Sequence, residues 1–469
     1  DLGADTDIYL GRVAWSSDGQ TLYVQRLSRD QKTLDLLAVD PATGAARVIV
    51  TQRGEAWVEL TDDFKPLADG RFIWSNEDSG WRHLYLYDRD GALIRPITQG
   101  EYPILGLEGV NQQTGEVFFT ASMRDGRELP IEQQLFRASL NDTATPVAIT
   151  PAGGWWNVSV NSTGAAYVGN YSDPRTPPQS GLYSIDGPRI RWIEENPLNA
   201  DHPFHPYVSR LREPEFGTLQ SHGETLVWQM KTPPGFDPSK TYPVVMQVYG
   251  GPSGGGVKRG WGSATDQLLT EAGYIVFRMD NRGEGYRSRA FKNALYRRMG
   301  TVEVEDQIIA ADHLRSLPYV DDARIAVMGW SYGGFMSLSM LTEPKMGLAA
   351  ALAGAPPTEW GLYDTAYTER YLPTPQDNPE GSAASDVIPK LDDMTGRLLL
   401  LHGMADDNVI FENTTRVLNA LQEKSIPFET MLYPGQRHGV RGNPRQLHLW
   451  RTYLDFLDRT IGARSHAAD

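Results

Sequence analysis

Ile325-Ala326-Val327-Met328-Gly329-Trp330-Ser331-Tyr332-Gly333-Gly334-Phe335 decides how the second half of this chain is read. The apolar run 325–328 fits a buried strand. A G-x-S-x-G turn occupies 329–333, and a helical run extends from Gly334 to Leu341. Strand, tight turn and helix in that order are what a nucleophile elbow needs. Glycines beside the serine let the backbone make a strained turn that exposes the hydroxyl. Ser331 is the candidate nucleophile, and the plain alternative is a serine in a structural turn.

Outward from this stretch, apolar runs alternate with helical patterns. Val244 to Val248, Ile275 to Phe277, Ile325 to Met328 and Leu398 to Leu401 read as strands. Val302 to Ser316 and Asn413 to Lys424 read as amphipathic helices between them. A last strand, Phe428 to Tyr433, leads to a terminal helix from about Pro444 to Thr460. Alternating strands and helices imply a mostly parallel sheet covered on both faces.

The first 200 residues have a different period. A turn signal and a short apolar run recur at Asp18-Gly19, Asp69-Gly70, Thr114-Gly115 and Thr163-Gly164. The glycines stand 51, 45 and 49 residues apart. Each unit offers a second strand, such as His83 to Tyr87 or Gly181 to Ser184, and turns such as Asp40 to Gly44 and Asp88 to Gly91. That repeat fits four-stranded propeller blades, with a β-sandwich of hairpins as the alternative. Asn196 to Phe216, rich in Pro and His, reads as a linker. The expected division is 1–200 for the blades, 201–216 for the linker and 217–469 for the α/β domain.

Composition narrows the function. At roughly 100–200 residues per domain, 469 residues suggest two to four domains. Forty per cent hydrophobic residues supply sizeable cores, so disorder is excluded. The net charge of −15 disfavours nucleic acid and anionic membranes. No apolar run reaches the roughly 18 residues of a membrane span, and Asp1 to Leu10 does not read as a signal peptide. With no cysteine, disulfides, thiolate metal sites and a cysteine nucleophile are all excluded. The reading calls for no cofactor and no metal.

A serine nucleophile needs a base, and the base needs an orienting carboxylate. Leu398 to Leu401 runs into His402-Gly403-Met404-Ala405-Asp406-Asp407-Asn408, an acidic loop after a strand. Phe428 to Tyr433 runs into Pro434-Gly435-Gln436-Arg437-His438-Gly439. Of nine histidines, His438 alone combines a position after the acid with a loop behind a late strand. His402 is its sharpest rival and reads as a local hydrogen-bonding group. Asp406 and Asp407 both satisfy the spacing. The Tyr332 amide is one candidate oxyanion donor. The other is the Tyr249 hydroxyl, or an amide near it, in Val248-Tyr249-Gly250-Gly251-Pro252. Asp280 to Gly285 reads as a structural turn beside the site, and Glu303 and Glu305 as a solvated helix face.

Several of these stretches resemble the prolyl oligopeptidase family of serine peptidases, in its dipeptidyl peptidase IV branch. They are Gly329 to Phe335, His402 to Val409, Trp360 with Tyr363 to Tyr371, and Ser75 to Tyr85. The resemblance covers essentially the whole chain. It implies an α/β-hydrolase catalytic domain with an all-β propeller, and release of dipeptides with Pro or Ala in the penultimate position. It implies Asp406 as the acid and the Tyr249 hydroxyl as the second oxyanion donor. It maps a proline pocket onto Trp360, Tyr363, Tyr367 and Val409, where flat aromatic rings suit a pyrrolidine. Asn408 and Arg370 would help hold the substrate carbonyl and its N-terminal end.

Departures from the family pattern set further expectations. The glutamate pair that selects a free amine has no counterpart segment here, nor does the propeller arginine that meets the substrate carbonyl. Four blades are about half the family's propeller, so the chain is expected to be the C-terminal part of a longer polypeptide, stable with its complement. A homodimer is expected, and the missing cysteines tilt the compartment toward a bacterial periplasm. The rival readings are a tripeptidyl or acylaminoacyl peptidase on the same scaffold, and a catalytically silent binding protein.

Overall fold

A computed structural model describes residues 7–122, 131–252 and 255–462. The chain divides into two compact units. The first holds Asp1–His205 together with two short later segments, Lys258–Trp261 and Tyr286–Asn293. The second holds Pro206–Val257, Gly262–Gly285 and Ala294–Asp469.

Four antiparallel four-stranded sheets follow one another in the first unit. The first comprises Ile8–Trp15, Leu22–Ser28, Thr33–Val39 and Ala46–Arg53. The second comprises Lys65–Pro66, Phe72–Asn76, His83–Tyr87 and Leu93–Pro96. The third runs Ile104–Asn111, Glu116–Ala121, Gln134–Ser139 and Val147–Ala148, and the fourth Trp155–Val160, Ala166–Ser172, Gln179–Ser184 and Arg189–Glu194. Each is a meander in chain order, the pattern of a propeller blade. A sandwich would have merged these strands into two sheets. The four repeat glycines sit at φ 70°, 90°, 74° and 68°, a conformation that costs a side chain dearly and glycine little. Apolar clusters join each blade to the next. Tyr23, Leu36, Phe72 and Trp74 pack between the first two, and Ile73, Leu86, Val117 and Phe119 between the second and third. Full burial of such side chains contributes about 1.5–3 kcal/mol each.

The second unit is built on one eight-stranded sheet. Its strands are β1 (Glu215–Ser221), β2 (Glu224–Lys231), β3 (Tyr242–Gln247), β4 (Ile275–Asp280), β5 (Val320–Trp330), β6 (Ala350–Gly354), β7 (Arg397–Gly403) and β8 (Glu429–Tyr433). They lie in the order β1-β2-β4-β3-β5-β6-β7-β8. β1 and β2 pair antiparallel, β2 pairs antiparallel with β4, and every pair beyond that is parallel. This is the α/β-hydrolase arrangement. β1 starts at Glu215, inside the stretch expected as linker, and a 3₁₀ turn at His205–Arg210 precedes it.

The helices of this unit are α1 (Ala264–Glu271), α2 (Val302–Ser316), α3 (Tyr332–Leu341), α4 (Thr365–Tyr371), α5 (Pro379–Ser385), α6 (Glu412–Glu423) and α7 (Asn443–Ile461). α3 is buried along its whole length, so it reads as apolar all round rather than as one stripe. α7 buries Leu449, Tyr453, Phe456, Leu457 and Ile461, a 3–4 spacing that lays one face on β5 and β6.

Candidate active site

Ser331 stands where β5 ends and α3 begins, with φ 62° and ψ −122°. A non-glycine residue there is strained, and its neighbours hold it in place. A Cβ on Gly329 would lie 2.2 Å from the Gly333 carbonyl oxygen, and one on Gly333 would lie 2.3 Å from that of Val248. The glycines are therefore required by close backbone approach. The Ser331 amide donates to the Gly354 carbonyl of β6 at 2.8 Å, which ties the turn to the sheet.

His438 Nε2 lies 2.8 Å from Ser331 Oγ, and its Nδ1 lies 2.7 Å from Asp406 Oδ2. An ionised carboxylate only accepts, so Nδ1 carries the hydrogen and Nε2 is free to accept from the serine hydroxyl. Three residues drawn from the ends of β5, β7 and β8 thus form one hydrogen-bonded line. Gly403 makes the meeting possible: a Cβ there would lie 2.2 Å from the Arg437 carbonyl oxygen. The Ala405 amide donates to Gln436 O at 2.9 Å, and Trp330 Nε1 donates to the His438 carbonyl at 2.7 Å. The adjacent acid, Asp407, is exposed and pairs with Arg437 at 2.6 Å.

A profile of the prolyl oligopeptidase family matches residues 262–464, and one of the dipeptidyl peptidase IV N-terminal region matches 1–178. The chain belongs to the prolyl oligopeptidase family of serine peptidases. Within that family it falls in the dipeptidyl peptidase IV branch. It is 29% identical to a probable dipeptidyl peptidase 4 of Aspergillus flavus, over 94% of this chain and 59% of that protein. It is 28% identical to human dipeptidyl peptidase 8, over 97% of this chain and 57% of that one. The crystal structure of Porphyromonas gingivalis dipeptidyl peptidase 4 superposes with a TM-score of 0.92 at 30% identity, covering 98% of this chain and 65% of the other. The chain spans about 60% of the length of the curated relatives it matches.

In this prolyl oligopeptidase-family chain Asp406 is buried and saturated with donors. Oδ2 receives His438 and, at 3.1 Å, His402 Nε2, while Oδ1 receives the amides of Asn408 and Val409 at 3.0 and 3.1 Å. Burial alone would raise its pKa. The hydrogen bonds from His402 and His438, joined by the Asn408 amide, outweigh that and hold the carboxyl well below the usual carboxylate range. His402 is itself fully buried, with Nδ1 2.7 Å from Thr414 Oγ1 and Nε2 2.9 Å from the Val409 carbonyl. It hydrogen-bonds locally, and one of its partners is Asp406.

The aromatic residues anticipated as a pocket are in contact. Trp360 stacks on Tyr367 with centroids 6.0 Å apart, and Tyr363 meets both rings edge-on at 5.8 and 5.3 Å. Tyr363 donates its hydroxyl to Asn408 Oδ1 at 3.2 Å, which links this shelf to the acid loop. Val409 is fully buried beside Asp406. Arg370 lies on α4 with its guanidinium 5.7 Å from the Tyr371 ring centroid. Tyr249 is 42% exposed, with its ring 6.0 Å from that of Tyr332. The Asp280–Gly285 turn supports the Tyr249 loop: Asn281 Nδ2 donates to the Gly250 carbonyl at 3.0 Å.

Glu303 departs from the solvated helix face expected for it. It is fully buried, and it accepts the Tyr332 hydroxyl. Glu305 is the partly solvated member, pairing with Arg282 and Arg298 at 3.3 Å each. Among the described residues no group of three or more His, Cys, Asp or Glu side chains could hold a metal ion, and no helix is long and apolar enough to cross a membrane.

Proposed function

We propose that this chain carries the peptidase centre of a serine exopeptidase that releases N-terminal dipeptides with proline or alanine in the penultimate position. The observation that carries the reading is the unbroken hydrogen-bonded line Ser331–His438–Asp406 on a strained elbow. His438 Nε2 takes the Ser331 proton as Oγ attacks the carbonyl carbon that follows the penultimate residue. Asp406 keeps the imidazole in the right tautomer and stabilises the imidazolium. The Tyr332 amide and the Tyr249 hydroxyl donate to the oxyanion, a contribution of about 100- to 1,000-fold per donor. His438 then gives its proton to the leaving amine, and water repeats the sequence in reverse to free the dipeptide.

Specificity rests on the shelf of Trp360, Tyr363, Tyr367 and Val409, whose flat apolar faces suit a pyrrolidine ring or a methyl group. Asn408 and Arg370 are the polar groups proposed to orient the substrate backbone. A homodimer and a periplasmic site of action belong to the same proposal; the second rests on a sequence without cysteine. The test is hydrolysis of a Gly-Pro anilide by the wild type and by Ser331→Ala. Loss of turnover in the folded variant supports the reading, and retained turnover overturns it. Product masses from one peptide substrate separate dipeptide from tripeptide release.

A further inference from the structure

Glu303 is the buried titratable group that the proposed chemistry leaves unused. It sits in the first turn of α2, where a glutamate usually faces solvent and complements the helix dipole. Here the side chain turns inward and is 0% exposed. Its two oxygens accept from the Gly300 amide at 3.1 and 3.0 Å, and Oε1 also accepts the Tyr332 hydroxyl. Taking a carboxyl out of water is costly, and an exposed cap would have served the helix at less cost. What the inward position adds is a grip on Tyr332.

Tyr332 is held along its whole length. Its backbone follows Ser331 in the elbow, so its amide is the proposed oxyanion donor. Its ring meets Phe335 at 5.3 Å and Trp360 at 5.5 Å. A Cβ on Gly251 would lie 2.6 Å from Tyr332 Cγ, so the Tyr249 loop presses on the ring backbone-first. The phenol tip ends on Glu303. Gly300 belongs to the same clamp, since a Cβ there would lie 2.5 Å from the Phe335 ring.

We infer that Glu303 is a positioning residue for the oxyanion side of the site: by anchoring the Tyr332 phenol it fixes the amide aimed at the oxyanion and the ring that backs the Trp360 shelf, without touching substrate. The inference rests on the serine-peptidase reading above. Small displacements of a pre-aligned donor are expensive, with about 100-fold lost for a shift of about 1 Å. The titratable groups acting on Glu303 are Tyr332 from α3, Asp306 one turn along α2 and Tyr367 from α4. Burial pushes its pKa up to about 7, against the pull of the Tyr332 hydroxyl and the Gly300 amide. In either protonation state a carboxyl oxygen remains able to accept from the phenol.

The test compares Glu303→Leu, Glu303→Gln and Tyr332→Phe with the wild type. The readouts are kcat and KM on a Gly-Pro anilide, the rate of fluorophosphonate labelling, and the pH profile of kcat. Glu303→Leu is expected to lower kcat and the labelling rate about 10- to 100-fold with KM changed less than about twofold. Glu303→Gln, whose amide oxygen still accepts from the phenol, restores most of that loss, and its kcat profile keeps the shape of the wild type's. Adding Glu303→Gln to Tyr332→Phe costs little more than Tyr332→Phe alone. Equal rates across the series overturn the inference, as does a loss confined to KM. A loss that glutamine does not restore also overturns it, because charge rather than positioning would then be at work. Where the leucine variant does not fold, unchanged kcat and labelling in Tyr332→Phe still overturn it. Failure of the wild type to label defeats the serine-peptidase reading itself, whereas a labelled wild type with a flat Glu303 series defeats this inference alone.

Discussion

Two buried carboxyls flank the Ser331 elbow, and they are tuned in opposite directions. Asp406, behind His438, is held well below the usual carboxylate range although burial works against it. Glu303, beneath Tyr332, is pushed up to about 7 by the same burial. Both are hydrogen-bonded, but Asp406 accepts from two imidazoles and two amides, and Glu303 from a phenol and the Gly300 amide. Asp406 faces two imidazoles, one of which becomes a cation during the proposed reaction. Glu303 faces a phenol, a backbone amide and another acid, Asp306. The lesson is that burial sets the cost of charge and the partner decides whether the charge is kept. A carboxylate that stabilises an imidazolium must stay ionised, whereas one that anchors a phenol has no such requirement.

The largest expected effect breaks the first of the two. Asp406→Asn is expected to lower kcat about 10,000-fold, because an amide can turn a donor toward Nδ1 and select the wrong histidine tautomer. Steady-state kinetics on a Gly-Pro anilide measures it. The second prediction sharpens the comparison as stability against pH. Glu303 releases its proton near 4.5 when unfolded and near 7 when folded, so the folded state holds the extra proton between those values. Stability from this group therefore falls as pH rises from about 4.5 to 7, by on the order of 3 kcal/mol. Asp406 has the opposite sign: its contribution is present above the unfolded value of 3.8 and is lost as pH falls below it. Urea melts of Glu303→Gln and Asp406→Asn across pH 3–8 should show the wild type's slope flattened in different windows.

Smaller effects follow from the shell around Asp406. His402→Ala removes one donor from the buried carboxylate and should cost about 2 kcal/mol of stability, read from urea melts. It should also lower kcat/KM about tenfold, the equivalent of roughly 1.4 kcal/mol in the transition state. Tyr363→Phe deletes the 3.2 Å bond to Asn408 at a partly exposed site. Its expected cost is about 1 kcal/mol or less, seen as a KM raised several-fold with kcat little changed.

How much of this was legible in the sequence differs between the same two carboxyls. Ser331, Asp406 and His438 could be found because each closes a strand whose apolar run is visible, and because their chain order is restrictive. The choice between Asp406 and Asp407 needed a family resemblance, since only the fold of the loop turns one inward and the other toward Arg437. Glu303 was misread because α2 buries polar residues: Asp306 and Gln307 are buried with it. Periodicity finds burial only where the buried residues are apolar. The capture of Tyr286–Asn293 by the first unit was equally invisible, although Lys292 lies 3.1 Å from Glu59 and 2.5 Å from Glu77 there. Partners more than 200 residues apart leave no local signal. The blades were legible because their turn glycines repeat at a nearly constant interval. The exchange of β3 and β4 in the sheet was not, because crossover order is a property of packing rather than of any one segment.

The most direct measurement is to treat the purified chain with a fluorophosphonate and locate the adduct by peptide mass spectrometry. The account predicts a single phosphonylated residue, Ser331, with labelling abolished in His438→Ala while the variant keeps its fold. An adduct on another residue, or undiminished labelling of Ser331 without His438, would contradict it.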